Sequence, residues 1–361
     1  MSQPAEDDWA IEEFGTAELG DARRTKRLVA LARQLAKSAH CSFPQALPAA
    51  QLKAAYRFFD NEHVDTDGVL SAHLRQTLTR MCALPVVLAA ADTTEFNLTH
   101  LPATEGVGYG SSQHLRGFFM HSALALSPEG LPLGVLAMKS WARPLEQLGK
   151  RHRRRQLPIA EKESSKWLET LAVLNGLREH CPDTRIVAVC DREADIYDLF
   201  VAERPAQVDW LVRAAWNRGV EHPEQYLWAA MQTAPVIGRT QLSIPKREQQ
   251  PERTAQLEVR CAPLRIRPPR SRARSDLAEA PVFVVWAIET APPEGVPPLE
   301  WMLLTSVPTS TAQEALERLS WYARRWTIET WHRVLKSGCR IQARQFGSLE
   351  RFERATALFA V

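Results

Sequence analysis

Two short apolar runs, Pro85–Ala91 (PVVLAAA) and Arg185–Cys190 (RIVAVC), are each followed at once by an aspartate, Asp92 and Asp191. Runs of this length with no polar alternation read as buried strands, each delivering its aspartate at the strand end. Phe118–Leu126 and Leu133–Ala137 read as two further strands, antiparallel across Ser127–Leu131, where Pro128 and Gly130 suit a turn. Lys166–Arg178 reads as a helix, Ala194–Val201 as another, and Trp210–Arg213 as a strand. Strands followed by helix–strand–helix–strand describe an α/β unit, with Asp92 and Asp191 each expected where a strand ends.

The flanking regions differ in texture. Before residue 75 the chain reads helical. Leu28, Leu31, Ala32 and Leu35 recur at helical spacing behind Arg23, Arg24, Lys26 and Arg27, and a second helix is expected over Ala49–Phe59 with Tyr56 and Phe59 inward. Leu242–Ile244, Ala255–Arg260, Val282–Glu289 and Met302–Thr305 read as strands, broken by Pro- and Arg-rich connections. After Ser310 a helix begins, with Thr311 as N-cap and Glu314 completing a capping box. The expected organisation is a helical region over 1–75, the first part of an α/β core over 76–214, a β-rich insertion over 215–305 and a helical closing segment over 306–361.

Composition adds exclusions. No apolar run reaches the roughly 20 residues that span a bilayer, and the polar, acidic start Met1–Asp8 does not resemble a signal peptide. The six cysteines contain no CxxC pair and fit neither a zinc site nor a disulfide framework, so a reducing, cytoplasmic setting is expected. A net charge of +3 is too small to imply a polyanionic partner. Its distribution is more informative, because basic residues crowd into Lys150–Arg155, Arg265–Arg274 and Arg318–Arg354. Any one such run also suits an ordinary solvated face.

Hard divalent cations at a phosphodiester take carboxylate ligands, and two strand-end aspartates with a carboxylate on a neighbouring helix can supply them. Either aspartate alone equally suits a cap or turn. On a helix over Thr311–Lys336, advancing about 100° per residue, Tyr322, Arg325, Glu329 and Lys336 share roughly 60° of arc. Arg318 joins them and His332 lies beside. Trp326, Trp331 and Leu335 face elsewhere, toward the expected core. The same spacing also suits a solvated face with an Arg325–Glu329 ion pair. His121, in FFMHSAL, reads as a core histidine; Glu193 and Asp195 read as helix-starting charges; Glu95 is expected past its strand end.

The spacing Tyr322-x2-Arg325-x3-Glu329-x6-Lys336 resembles the Tyr-Arg-Glu-Lys signature of bacterial insertion-sequence DDE transposases of the hairpin-forming branch. DTTEFNLTH with Asp92, CDREADIYD with Asp191, EKESSKWL, LEWMLLTS, LGDARRTKRL and AYRFFDN resemble the same family in collinear order over nearly the whole chain. The resemblance implies a ribonuclease H-like catalytic core with a β-rich insertion, preceded by an α-helical N-terminal DNA-binding region. It implies Asp92, Asp191 and Glu329 as catalytic ligands of two Mg2+ or Mn2+ ions. Tyr322, Arg325 and Lys336, with His332 beside them, would hold phosphates near the element end, and Trp301 would stack on a flipped base. Arg213 would contact DNA, and Arg24 and Arg27 would recognise element ends. The implied partners are terminal inverted repeats, target DNA and a second copy in a synaptic dimer, with no membrane. The implied setting is a bacterial cytoplasm, on the nucleoid when bound. The chain stops in the apolar-periodic FERATALFAV, whereas the family continues into a helical dimerisation region, so a truncated copy that only binds ends is the alternative expectation. A nuclease without end specificity is a third.

Overall fold

The computed structural model describes residues 8–149, 157–244, 252–269 and 277–361. The basic run Lys150–Arg155 and the second half of Arg265–Arg274 lie outside them. The chain is mixed α/β and divides into two compact units. One comprises 1–162, 179–184 and 326–361; the other comprises 163–178 and 185–325. No helix among the described residues is long and apolar enough to cross a membrane.

The first unit opens with five helices: α1 (Trp9–Phe14), α2 (Ala22–Ala36), α3 (Phe43–Ala46), α4 (Ala49–Phe59) and α5 (Thr66–Cys82). Asp21 starts α2 by accepting the Arg23 backbone N–H at 2.8 Å. The helix then buries Leu28, Val29, Leu31, Ala32 and Leu35 and turns its basic side outward. Helix α4 has the expected bounds and buries Phe59, but Tyr56 is 43% exposed, correcting the inward placement. A polar clamp fixes α5. His73 sits 2.5 Å from Glu13 through Nδ1, and its Nε2 accepts the Val135 N–H at 2.9 Å. Arg80 bonds both Glu13 and the Leu133 carbonyl. Gly134 permits this close approach. Its φ is +147°, and a Cβ there would lie 2.0 Å from Thr77 Oγ1.

Strands β1 (Val86–Asn97), β2 (Gly108–Tyr109), β3 (Arg116–Leu126) and β4 (Pro132–Trp141) follow in the first unit, with β3 antiparallel to the other three. The 127–131 turn joins β3 to β4 as expected. Strand β1 overruns its apolar stretch, so Asp92 lies in mid-strand opposite Ser122, and Glu95, expected beyond the end, pairs with Phe119. The reason is local: Thr93, Thr94 and Phe96 are good strand formers, and β3 offers partners as far as Gly117. His121 is the satisfied core histidine that was expected, with Nδ1 2.9 Å from Thr93 Oγ1.

The second unit holds α6 (Ser165–Leu177), β5 (Arg185–Cys190), α7 (Tyr197–Phe200), β6 (Val208–Arg213) and α8 (Leu227–Thr233). It continues through β7 (Val236–Ile244), β8 (Arg253–Ile266), β9 (Ala280–Glu289), β10 (Glu300–Thr305) and α9 (Ala312–Arg324). Strands β5 and β6 are parallel, with Cys190 beside Val212. From β6 the order runs antiparallel through β10, β9, β8 and β7. Helix α7 is shorter than the expected Ala194–Val201, because a 3-10 turn over Arg192–Ala194 precedes it. The capping box of α9 forms as read.

The helical run after Thr311 is not a single cylinder. It ends at Arg324, restarts in the first unit as α10 (Trp326–Arg333) and widens into a π-turn over Val334–Gly338 before the last helix, α11 (Leu349–Phe359). The facing read from a uniform wheel therefore changes. Arg318, Tyr322 and Arg325 are buried, whereas Trp326, expected inward, is 48% exposed; Leu335 is buried as expected. The cysteine reading also changes, because Cys82 and Cys181 form a disulfide with Cα atoms 5.0 Å apart.

Candidate functional site

Each unit carries part of the candidate set. In the first, Asp92 sits half-buried on β1 and accepts the Thr93 N–H through Oδ1 at 2.8 Å. Helix α10 packs against β1 and carries Glu329, also half-buried. Lys336 follows in the π-turn, its Nζ 5.7 Å from the Phe96 ring. Burial lowers the Lys336 pKa, while the charges of Glu95 and Asp92 act to raise it. Asp92 and Lys336 thus share one electrostatic neighbourhood. His332 is 4% exposed, and burial first and Lys336 second bring its pKa down to about 3, so it is neutral near pH 7. Among the described residues its Nε2 has no hydrogen-bond partner. On α2, Arg27 is exposed, and Arg24 is half-buried and donates to the Leu19 carbonyl at 2.7 Å.

In the second unit the apolar strand β5 delivers Asp191 at its carboxyl end. Asp191 Oδ1 accepts the Glu193 N–H at 2.8 Å. Burial raises the Asp191 pKa, and the Glu193 charge adds to that; the N–H bond and the charges of Arg325 and Lys166 act against it. Lys166, on α6 and 7% exposed, reaches Glu193 at 2.8 Å. Arg325 is 8% exposed with its guanidinium 5.9 Å from the Tyr322 ring. The Tyr322 phenol is pushed up by burial, with Arg325 and Arg213 drawing it back. Burial lowers the Arg213 pKa, and its Nη2 donates to the Glu300 carbonyl at 2.8 Å.

Trp301, beside Glu300 on β10, is 7% exposed and meets Tyr322 edge to face with ring centroids 5.1 Å apart. The Glu300 carboxylate receives the indole N–H groups of Trp228 at 2.7 Å and Trp286 at 2.8 Å.

The second unit therefore gathers Asp191, Tyr322, Arg325, Arg213 and Trp301, and the first gathers Asp92, Glu329, Lys336 and His332. Arg24 and Arg27 belong to the helical N-terminal region. Lys166, Glu193 and Glu300 carry no functional assignment from the sequence. The signal available was a lysine in the apolar phase of α6, a position that buries a charge only when it has a partner. Asp195, read as a helix-starting charge, is instead buried and holds the loop after β6.

Among the described residues no group of three or more His, Cys, Asp or Glu side chains is placed to hold a metal ion. The donor chemistry of the set nevertheless fits a hard divalent cation. It is all carboxylate oxygen, and burial makes the Asp191 charge unfavourable, which a bound cation would reverse.

Residues 162–360, more than half of the chain, match the family model described as Transposase DDE domain. Residues 6–64 match the model described as Transposase DNA-binding. Asp191, Glu329 and the Tyr322–Lys336 helical segment fall inside the first match, Arg24 and Arg27 inside the second, and Asp92 between the two.

Proposed function

Since the chain belongs to the DDE transposase family, with a DNA-binding region and a ribonuclease H-like α/β core, we propose that it is the cut-and-paste transposase of an insertion sequence, working through hairpin ends. Asp191 carries this reading: a half-buried carboxylate at the carboxyl end of β5, under the charges of Arg325 and Lys166 and within the matched domain. DDE transposase domains use divalent metal ions. In this chain Asp92, Asp191 and Glu329 are the proposed ligands of two Mg2+ or Mn2+ ions. Bound there, the ions make water or a 3′-hydroxyl a better nucleophile and offset charge on the phosphate.

The chain's own residues supply the rest. Lys336 and Arg325 attract phosphate oxygens, Arg325 through a planar fork that suits two oxygens at once. The Tyr322 phenol, held protonated by burial, donates a hydrogen bond. His332, neutral at physiological pH, contributes shape and a neutral nitrogen, not charge. Arg213 and Trp301 flank Tyr322 within one unit, which suits them to hold a displaced nucleotide once Trp301 is uncovered. The proposed sequence is hydrolysis of one strand, attack of the freed 3′-OH on the opposite strand to give a hairpin, hydrolytic opening and strand transfer. Arg24 and Arg27 would read the ends. A second copy is proposed in the paired-end complex, and the setting is the bacterial cytoplasm.

The test is incubation with Mg2+ or Mn2+ and a duplex bearing the inverted repeats that flank the gene. Hairpin-ended products that disappear in Asp191→Ala and on unrelated ends are expected. End binding without cleavage would reduce the reading to a DNA-binding remnant. Cleavage of any DNA would make it an unspecific nuclease.

A further inference from the structure

The loop after β6 presents the most exposed aromatic side chain among the described residues: Trp216, at 66%. An indole this open contributes little to the core, yet its backbone is held firmly. The fully buried Asp195 carboxylate accepts the N–H groups of Ala215 at 2.7 Å and Trp216 at 3.0 Å. Arg218 closes the loop from the other side, Nε to the same carboxylate at 2.6 Å and Nη2 to the Asp195 carbonyl at 2.5 Å. Its guanidinium lies 5.1 Å from the Phe200 ring. A loop pinned by a charged pair and two amide bonds loses little entropy when its side chain is covered.

Position and charge say what covers it. Asp195 lies four residues after Asp191, so the anchor of Trp216 is the loop that carries the candidate catalytic carboxylate. Strands β5 and β6 are parallel, with Cys190 beside Val212, so both loops leave from their carboxyl ends, where ligands of open α/β sheets gather. The charges of Arg192 and Arg325 both reach Arg213, three residues before Trp216, so guanidinium groups gather at this strand end beside the carboxylates of Asp191 and Glu193. A flat apolar face beside clustered guanidinium groups suits a polyanion that also offers flat apolar faces, namely nucleic acid with an unstacked base.

We propose that Trp216 is a stacking platform for a base of the bound DNA, next to the strand ends that carry Asp191; this rests on the transposase reading above. It is a different surface from Trp301, which is covered by Tyr322. Stacking is tolerant of base identity, so Trp216 adds affinity and fixes the path of the strand without selecting sequence.

The test uses the full chain and two fluorescein-labelled probes, a duplex carrying the terminal repeats of its own gene and a single strand of equal length, with dissociation constants from anisotropy. Trp216→Ala is expected to weaken binding about tenfold, and Trp216→Phe to restore most of it. The slope of log Kd against log salt should be the same in wild type and Trp216→Ala, since no charge is lost. Because the side chain is exposed, circular dichroism and melting of both variants should match wild type. Equal Kd values for wild type and Trp216→Ala on both probes would overturn the platform and leave the transposase reading intact. A wild-type chain that binds neither probe would overturn both.

Discussion

A carboxylate such as Asp191, half-buried at the end of β5, makes the metal-free chain less stable than a neutral side chain there would, because desolvation disfavours its charged form. A cation that binds only the folded chain reverses that cost and stabilises it by mass action, by about 2.7 kcal/mol at a hundredfold excess over Kd, which raises the melting temperature. Scanning calorimetry in EDTA and in Mg2+ should show this upward shift for the native chain and little or none for Asp191→Asn, whose DNA cleavage should also fall by about 10³-fold. An equal Mg2+ shift in both proteins would remove Asp191 from the metal site. Glu353, on α11, supplies a prediction away from the chemistry. Burial first and the charge of Glu350 second raise its pKa from 4.5 to about 7, with Arg354 acting the other way. The folded chain therefore holds a proton that the unfolded chain has released, and stability falls as pH rises from about 4.5 to about 7. Glu353→Gln should be more stable than wild type at pH 8 by about 1–2 kcal/mol, after allowance for partial solvent exposure, and no more stable at pH 4. Urea titrations at the two pH values measure the difference. Neither shift was legible in the sequence: an aspartate after an apolar run was visible, but Lys166 and Arg325 stand far from Asp191 in the chain and meet its field only through packing.

Among the elements, the start of α9 is where local sequence specifies structure most completely. Thr311 Oγ1 accepts the Glu314 N–H at 3.2 Å, and Glu314 Oε2 returns to the N–H groups of Thr311 at 3.0 Å and Ser310 at 2.8 Å. These contacts lie within four residues, which is why they could be read in advance. Thr311→Ala should cost about 1 kcal/mol and lower the melting temperature by about 2–4 °C, whereas Thr311→Ser should behave as wild type. An unchanged midpoint for Thr311→Ala would mean that packing of α9 on β7, β8 and β9, not its cap, holds the helix end. The far end of the same run resisted reading for a physical reason. A wheel at constant pitch assumes unbroken i to i−4 bonding, whereas one helix ends at Arg324 and a π-turn occupies Val334–Gly338. Tyr322, Arg325, Glu329 and Lys336 were therefore legible as a spacing, but their burial was not. Strand β1 is the converse case. Its apolar run ends at Ala91, yet pairing with β3 carries the strand to Asn97, because a cross-strand partner, not hydrophobicity alone, decides where a strand stops.

For the whole molecule, the division of the chain was the least legible property. The first unit is assembled from 1–162, 179–184 and 326–361, and no composition shift marks the six-residue piece. Its placement depends on contacts that only the fold brings about. Thr184 Oγ1 donates to the carbonyl of Leu84 at 2.9 Å at the end of α5, and Cys181 joins Cys82 across a sequence separation of 99. A link closing so long a loop removes a large share of the unfolded chain's freedom, so the bonded form should exceed the Cys82→Ser/Cys181→Ser variant in unfolding free energy by about 2–5 kcal/mol. In a reducing cytoplasm the two cysteines would be thiols, and the chain would then rely on Thr184 and the packing of α5 to hold this piece in place. Thiol titration in denaturant distinguishes the states. Protein purified without reductant should release four thiols, from Cys41, Cys190, Cys261 and Cys339, and reduced protein six. Six thiols in air-exposed protein, or a serine variant as stable as the bonded form, would show that the segment before β5 is held by packing and hydrogen bonds alone.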